Sequence, residues 1–196
     1  PFSSNFIKGN DYYQRKCQVL DLSDNYEILY KSYSVNHKRN IAKAKKNRLE
    51  VKSSKDVKTL IQLFKDSKGK DLKELKKSNF EALTIALQET LIHNDGVLLE
   101  CYNEKELICS AFFAVCGNRI TYVKGFSDVN GRKLGAMHFI IDYVIKKNSD
   151  SNFIFDFGGS NNAQVAKFNY GFGSNDLFYK QIKQNSLPKI IKLLKN

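Results

Sequence analysis

Residues 153–173 read FIFDFGGSNNAQVAKFNYGFG, and this stretch gives the strongest indications of the fold. An apolar, aromatic run typical of a strand ends at Asp156 and continues into a glycine-glycine-serine turn. An asparagine can then cap a helix whose predicted inward positions are Val165, Phe168 and Phe172. A strand that delivers a carboxylate to a turn and a helix N-terminus is a common way to build a site. The alternative is a corner in which the glycines only permit the turn.

The composition predicts one globular domain. The chain has 196 residues, of which 42% are hydrophobic and 12% aromatic, which suits a packed core and excludes a disordered chain. No apolar run approaches the roughly 20 residues that span a bilayer. We therefore expect a soluble, cytoplasmic domain over residues 17–196, after an arm or linker over residues 1–16. Because the chain begins at Pro1, it also suits the C-terminal half of a longer two-domain protein.

The cysteines and histidines form no metal-binding pattern. The four cysteines make no Cys-x-x-Cys pair, and Cys101, Cys109 and Cys116 lie in apolar, strand-like runs. They are predicted to be buried free thiols in a reducing compartment. The three histidines lie far apart in sequence and near no cysteine. The sequence therefore gives little support for a metal cluster or a catalytic histidine triad, and no metal is expected.

The positive charge is concentrated in one segment. Net charge is +12, and residues 38–77 contain 15 Lys/Arg and five Asp/Glu, a balance of +10 that leaves +2 elsewhere. A local basic surface of this kind predicts an anionic partner, such as nucleic acid, a phosphate-bearing ligand or a membrane surface. The alternative is a lysine-rich helical face that only meets solvent.

The order of the predicted elements defines the fold class. Residues 97–103, 107–116 and 119–127 are predicted to form three strands joined by short turns, and the second is too continuously apolar to have a wet face. Amphipathic helices precede them. A helix, the strand and helix described above, a strand over residues 175–184 and a helix from Pro188 follow them. We predict an α/β (α+β) protein, a mixed β-sheet with helices on both faces.

A second informative place is the loop over residues 127–136. Gly131 and Gly135 flank Arg132 and Lys133 where a strand gives way to a helix. Backbone N–H groups and the helix dipole can hold a phosphate at such a junction. The alternative is a strand–helix loop that needs two flexible residues.

Three motifs together resemble the GNAT acyltransferase superfamily, and specifically its FemAB-like branch. The first is the basic helix NHKRNIAKAKKNRLEV at residues 36–51, followed by a short strand. The second is the hairpin, glycine loop and helix over residues 97–145, and the third is FDFGGSNNAQVAKFNYGFG at residues 155–173. The resemblance covers residues 17–184 and implies a GNAT-like mixed sheet.

The resemblance implies transfer of an acyl or aminoacyl group to a primary amine. The implied donor is acetyl-CoA, another acyl-CoA or an aminoacyl-tRNA, and tRNA is one candidate for the anionic partner of the basic surface. Such enzymes often hold two GNAT-like domains with the site near the cleft between them, and this chain has room for one.

The resemblance also implies site residues. Asp156 would orient or deprotonate the amine, and Ser160 would supply a hydrogen bond. The donor and its phosphate are predicted to be bound by Arg132, Lys133, Gly135, Gly158 and Gly159. The predicted residues of the substrate cleft are Tyr122, Lys124, Lys167 and Phe168. The alternative role for Asp156 is a structural cap on the helix that follows.

Two positions depart from the family's patterns. The coenzyme A loop pattern is matched by Arg132 and Gly135, but its last position is Met137. The lysine that follows the phenylalanine of the third motif is replaced by Asn169. A non-catalytic nucleic-acid or cell-envelope binding domain that uses the basic surface is the alternative function. A third hypothesis is that the chain is an inactive fragment, whose site would be completed by an N-terminal half that is missing here.

Overall fold

The computed structural model describes residues 11–67, 76–159 and 161–183. In chain order the elements are β1 (Asp11–Asp21), α1 (Tyr26–Ser32), α2 (Val35–Lys46), β2 (Glu50–Ser54), α3 (Val57–Asp66), α4 (Lys77–Ile92), β3 (Gly96–Asn103), β4 (Glu106–Cys116), β5 (Arg119–Ser127), α5 (Val129–Leu134), α6 (Ala136–Asn148), β6 (Ile154–Gly159), α7 (Ala163–Tyr170) and β7 (Asn175–Lys183). The seven strands form one sheet in the order β2-β3-β4-β5-β6-β1-β7. The predicted helix from Pro188 lies outside the described residues.

Helices cover both faces of the sheet, which confirms the predicted fold class. On β3, Leu99 belongs to a core cluster with residues of α1, α2 and α6, whereas its neighbour Leu98 packs with α3 and α4. Successive strand residues point to opposite faces, so the two clusters lie on opposite sides of the sheet. Apolar positions at helical spacing explain the docking of α3, which buries Val57, Leu60 and Phe64.

One pair of neighbouring strands is parallel, and it separates early. β5 and β6 pair in parallel over residues 119–121 and 154–156, and every other pair of neighbours is antiparallel. β5 then continues to Ser127, while no further pairing with β6 is found among the described residues. The two strands are linked by the crossover through α5 and α6. Their separation opens a wedge at the carboxyl end of both strands.

The N-terminal arm was predicted too long. β1 begins at Asp11, six residues before the predicted start at Cys17, and it pairs along its length with β7. Over residues 13–16 no side chain of β1 is buried, and Arg15 Nε donates to Gln181 Oε1 at 2.7 Å. A stretch of strand with no buried face lacks the alternation of apolar and polar residues by which strands are predicted from sequence. The start of β1 was missed for this reason.

The cysteines are free thiols, three of them buried. Burial raises the pKa of Cys101 to about 12, so this thiol is inert at neutral pH. The prediction was wrong for Cys116, which is exposed because β4 ends there, next to the turn at Gly117.

None of the helices in the described part of the chain is long and apolar enough to cross a membrane.

Candidate active site

A cavity of about 510 Å³ lies in the wedge between β5 and β6. Residues of β5, α5, α6, β6 and α7 line it, so the elements around the parallel pair all contribute. The residues that line the cavity include Tyr122, Gly125, Arg132, Gly135, Met137, His138, Phe157, Phe168 and Asn169. Carboxyl ends of parallel strands are a recurrent place for ligand sites in α/β proteins.

A β-bulge at Val123 decides which side chains of β5 reach the cavity. Phe113 pairs with Tyr122 and Phe112 with Lys124, so one step on β4 matches two steps on β5. The extra residue reverses the alternation of β5. Tyr122 therefore lines the cavity, whereas the Lys124 ammonium lies 4.1 Å from the ring centre of Phe64 in the opposite core. The predicted pairing of Tyr122 and Lys124 in one cleft does not occur.

The Tyr122 hydroxyl lies in the space left by Gly125. A Cβ atom on Gly125 would overlap that hydroxyl and approach the methyl group of Met137, so this position requires glycine. Burial raises the pKa of Tyr122 well above its ordinary value, and the phenol is neutral at physiological pH. A neutral phenol at a cavity wall can donate a hydrogen bond to a ligand oxygen.

The first turn of α6 borders the cavity and has no side-chain cap. Gly135 precedes it with φ of 77°, the left-handed region that favours glycine, and a Cβ there would also meet the Asn40 carbonyl at 2.6 Å. The close approach docks α6 on α2. The first N–H groups of an uncapped helix attract anions, so the rim of the cavity has the electrostatics of a phosphate site.

The loop predicted over residues 127–136 is mostly helical, because α5 occupies Val129–Leu134 and ends at Gly135. The two cations predicted there point to different places. Arg132 lines the cavity, and its Nη1 donates to the Ser127 carbonyl at 2.6 Å. Lys133 instead lines a second, open groove with cations of α2, and its carbonyl accepts from Lys43 Nζ at 3.2 Å. The basic groove, as we name it here, is lined by Arg39, Lys43, Lys46, Asn47 and Lys133.

The basic segment does not form one surface. The buried residues of α2 pack on one face of the sheet and those of α3 on the other. The cations of the two helices are therefore separated by the sheet, and the basic groove contains only those of α2 together with Lys133. Charge counted along a sequence cannot reveal this division, because β2 carries the chain from one face to the other.

Asp156 lies on the face of β6 opposite to the cavity-lining Phe157. Its side chain is 13% exposed, and its Oδ2 accepts from Arg119 Nη1 at 2.7 Å. Its Oδ1 accepts from the Gly158 N–H at 2.8 Å. Both oxygens thus bind groups of the protein itself. This geometry favours the structural alternative, and a catalytic role for Asp156 stays a prediction.

We expect Asp156→Asn to lower the free energy of unfolding by about 1.5–3 kcal/mol, the usual contribution of hydrogen bonds to charged groups. The reason is that the amide weakens the bonds to Arg119 and Gly158. Urea denaturation measures the loss, and a cycle with Arg119→Gln tests whether the two side chains are coupled. Unchanged stability combined with abolished acyl transfer would instead establish the catalytic role.

The glycines after Asp156 have different surroundings from those predicted. Gly158 has φ of 77° and closes the turn onto Asp156, while Gly159 is exposed at the end of β6 and pairs with Cys17 of β1. Neither belongs to the cavity lining. Ser160 lies outside the described residues, so its predicted role stays a prediction. The helix cap predicted at one of two asparagines is Asn162, which accepts from the Gln164 N–H at 2.9 Å.

α7 presents Phe168 and Asn169 to the cavity. Lys167 is exposed and is not part of the lining, and Val165 is 41% exposed rather than buried as predicted. Asn169 is buried, and its Nδ2 donates to Gln18 Oε1 on β1 at 3.2 Å. At this position, where the resemblance to FemAB-like proteins predicts lysine, an amide is held in a polar network.

That polar network joins α7 to β1 and β7. Gln18 is fully buried, and its Nε2 donates to Asp176 Oδ1 at 2.5 Å. Tyr170 donates to the same oxygen at 2.6 Å, and Lys16 Nζ lies 2.9 Å from the other oxygen of Asp176. Hydrogen bonds from Tyr170, Gln18 and Lys16 hold the pKa of Asp176 low, at about 2. The network fixes the back wall of the cavity near Asn169.

A pair of histidines at the cavity was not predicted. The rings of His37 and His138 stack edge to face with centroids 4.6 Å apart, although the residues are 101 positions apart in sequence. Phe168 and Phe172 pack on both rings. The only sequence signal for this pair is that His138 lies three residues after Gly135, within the first turn of α6. Nothing in the sequence indicates that His37 approaches it.

Comparison with solved structures identifies the architecture. FemX superposes with a TM-score of 0.69 at 14% sequence identity, over 100% of this chain and 67% of the FemX chain. The fold is GNAT-like. L-PGS from Bacillus licheniformis shares the GNAT-like arrangement with a TM-score of 0.56 at 9% identity, over 95% of this chain and 65% of that one. A "possible acetyltransferase" from Clostridium difficile 630 gives 0.53 at 14% identity, over 71% and 99% of the two chains.

At these identities the likeness establishes the GNAT-like fold and nothing finer. The chain spans about two thirds of the length of FemX and L-PGS. No protein-family model matches the chain, and no curated protein matches it significantly. The predicted GNAT-like fold is confirmed, while membership of the FemAB-like branch stays a prediction.

Proposed function

We propose that this chain carries the site of an N-acyltransferase, which moves an acyl group from an activated donor to a primary amine. The observation that carries the proposal is the cavity between the separating strands β5 and β6, bordered by the uncapped first turn of α6. One end of the site is suited to phosphate and the other to an uncharged acyl group. The GNAT-like fold and its likeness to FemX and to the "possible acetyltransferase" support this class of reaction.

The phosphate end is formed by α6 and α5. The N–H groups of the first turn of α6 and the guanidinium of Arg132 would hold a phosphate of the donor. The side chains of Tyr122, Met137 and Phe157 give the cavity an apolar wall that suits an acyl chain. An acyl-CoA has both parts, so it is the donor we propose first.

The acyl carbonyl needs a donor of hydrogen bonds when the amine attacks. Negative charge develops on its oxygen as the tetrahedral intermediate forms. The neutral Tyr122 hydroxyl lines the cavity and makes no hydrogen bond to another described residue, so it can donate to that oxygen. Tyr122 is therefore our candidate for the oxyanion donor.

The basic groove supports aminoacyl-tRNA as the second candidate donor. Three cations of α2 and Lys133 line it, and the α2–α6 contact at Asn40 and Gly135 places it next to the phosphate end of the cavity. A nucleic-acid backbone that left the cavity at Arg132 would meet these cations. The same groove is the remaining basis for the alternative, a non-catalytic nucleic-acid binding domain.

Isothermal titration with acetyl-CoA tests the proposal. We expect saturable binding that Arg132→Ala weakens about 10-fold, the lower end of the range for a charged hydrogen bond. Lys147→Ala removes an exposed cation from the far end of α6 and serves as the matched control. Thiol release from acetyl-CoA in the presence of glycinamide or a lysine-containing peptide then measures transfer.

The alternatives give different results in the same experiments. Absence of heat with acetyl-CoA and longer acyl-CoAs, together with RNA binding that weakens steeply with salt, would overturn the acyl-CoA proposal. Charge reversal in the basic groove, as in Lys43→Glu, would abolish such RNA binding while leaving acyl-CoA binding at the cavity intact.

A further inference from the structure

We propose that His138 is a catalytic residue of this cavity, whose imidazole carries a proton from the attacking amine nitrogen to the leaving group. The inference rests on the proposed acyl transfer and assigns its proton path. It is carried by the position of the ring on the cavity wall and by the contrast with its neighbour His37.

The two rings have opposite hydrogen-bonding states. Both nitrogens of His37 are engaged, Nδ1 with Ser34 Oγ at 2.9 Å and Nε2 with the Phe168 carbonyl at 2.8 Å. Because a carbonyl only accepts, Nε2 carries a proton. Burial lowers the pKa of His37, which favours the neutral ring with Nδ1 accepting from Ser34. The His138 ring lines the cavity and makes no hydrogen bond to another described residue. It can therefore serve a bound molecule, while His37 cannot.

Packing fixes the orientation of the His138 ring. His37 and Phe168 contact it edge to face, with centroid distances of 4.6 and 4.9 Å, and Phe172 lies 6.3 Å away. His37 is held in turn by its two hydrogen bonds, so it acts as a positioning residue. A catalytic base needs this restriction, because proton transfer requires hydrogen-bond distance and alignment.

The surroundings keep the imidazole neutral at physiological pH. Burial, and then the proximity of His37, lowers the pKa of His138 to about 4. The titratable or charged groups around His138 are the neutral phenol of Tyr122 from β5 and the Arg132 cation from α5, which line the same cavity, and His37 from α2, which packs on the ring. α7 contributes Phe168 and Asn169, which do not titrate. No carboxylate is found among the described lining residues, and the N-terminal position on α6 also disfavours the imidazolium.

The proton balance of the reaction fits such a group. A neutral amine attacks the thioester carbon, and its lone pair forms the C–N bond while the carbonyl electrons move to oxygen. The nitrogen of this intermediate is cationic, and His138 accepts one of its protons. The oxygen electrons then re-form the carbonyl, the C–S bond breaks, and the sulfur takes its electron pair and the proton from the imidazolium. The products are an amide and a free thiol.

The low pKa limits His138 to this role. An imidazolium with a pKa near 4 gives its proton readily to a thiolate, whose conjugate acid has a pKa of about 8.5. The imidazole cannot deprotonate an alkylammonium, whose pKa is about 10.4. The amine must therefore enter the cavity already neutral, and the weakly basic amine glycinamide is the appropriate acceptor for the test.

The decisive experiment compares His138→Gln with His93→Gln, an exposed histidine at the end of α4. With acetyl-CoA and glycinamide we expect kcat of the first variant to fall by about 10²–10⁴-fold, the usual contribution of general acid–base catalysis. KM for acetyl-CoA should change less than threefold, and the second variant should match the wild type. A His138→Gln enzyme with kcat within threefold of the wild type would overturn the inference and leave the proposed function intact.

A measurement on the wild-type protein covers the case in which the variant does not fold. Diethyl pyrocarbonate acylates neutral, accessible imidazoles, and peptide mapping identifies the modified residue. We expect reaction at His138 and at the exposed His93, none at His37, and protection of His138 alone by coenzyme A. A His138 that stays unmodified, or that coenzyme A does not protect, would refute the inference even if acetyl-CoA binds.

Discussion

Replacing Phe172 with alanine is expected to lower the free energy of unfolding by about 3–5 kcal/mol, the range for a fully buried aromatic side chain. Phe172 has no exposed surface, and its ring contacts those of Tyr33, His37 and Phe157 at centroid distances of 5.1, 4.5 and 5.6 Å. These residues come from the C-cap of α1, from α2 and from β6. The truncation therefore leaves a cavity where three elements meet, and urea denaturation monitored by circular dichroism measures its cost.

Val165→Ala is the matched control for that experiment. It truncates an apolar side chain on the neighbouring α7, but at a position that is 41% exposed, so we expect a change within about 0.5 kcal/mol. Equal losses for the two variants would show that Phe172 is not part of a packed core. Because Phe172 also packs on His138, its loss should make that ring mobile, and NMR of the imidazole protons would report this.

The second large effect is a dependence of stability on pH that originates at His138. Its pKa is 6.5 in the unfolded chain and about 4 in the folded protein. Between these pH values the unfolded chain binds more protons than the folded protein. The contribution of His138 to the free energy of unfolding is therefore complete above pH 6.5 and is lost as the pH falls towards 4. A shift of this size corresponds to about 3 kcal/mol. His37 contributes in the same direction, since burial lowers its pKa as well.

Urea denaturation of the wild type and His138→Gln at pH 7 and pH 4 isolates this contribution. The free-energy advantage of the wild type is expected to shrink by about 3 kcal/mol on acidification. The comparison removes the opposing effect of Asp142, whose pKa is raised by burial and which therefore destabilises the fold as pH rises. An advantage that does not depend on pH would mean that His138 titrates normally and is in contact with solvent.

Much of the fold could be predicted from the sequence because its central elements bury regular apolar patterns. The continuous apolar run of β4 and the strand, turn and helix around Asp156 each contain a local signal, and together they led to the GNAT-like prediction. The part of β1 that precedes Cys17 could not be predicted, because residues 13–16 pair with β7 without being buried. Hydrogen bonding alone leaves no apolar pattern.

The site was harder to predict because it depends on contacts distant in sequence. The bulge at Val123 decides that Tyr122 and not Lys124 faces the cavity, and a bulge depends on strand pairing that no local pattern reveals. The approach of His37 to His138 requires α2 to dock on α6. Asp156 was predicted as a site residue because it is a lone acid in an apolar strand. Its ion-pair partner Arg119 is 37 residues away in sequence, so no local pattern shows the pairing. The glycine at position 135 does mark a helix junction, but the loop predicted around it is mostly the short helix α5, whose six residues are too few to show a helical period.

The early parting of β5 from β6 has a consequence for the behaviour of the sheet as a whole. A sheet normally has unpaired backbone groups only at its two outer borders, where they invite pairing with other chains. Here the parting creates a further edge in the interior of the sheet, between its fourth and fifth strands. This edge borders a cavity of about 510 Å³ and not the outer border of the sheet. The parting therefore makes room for a ligand inside the sheet without the aggregation hazard that an outer edge brings.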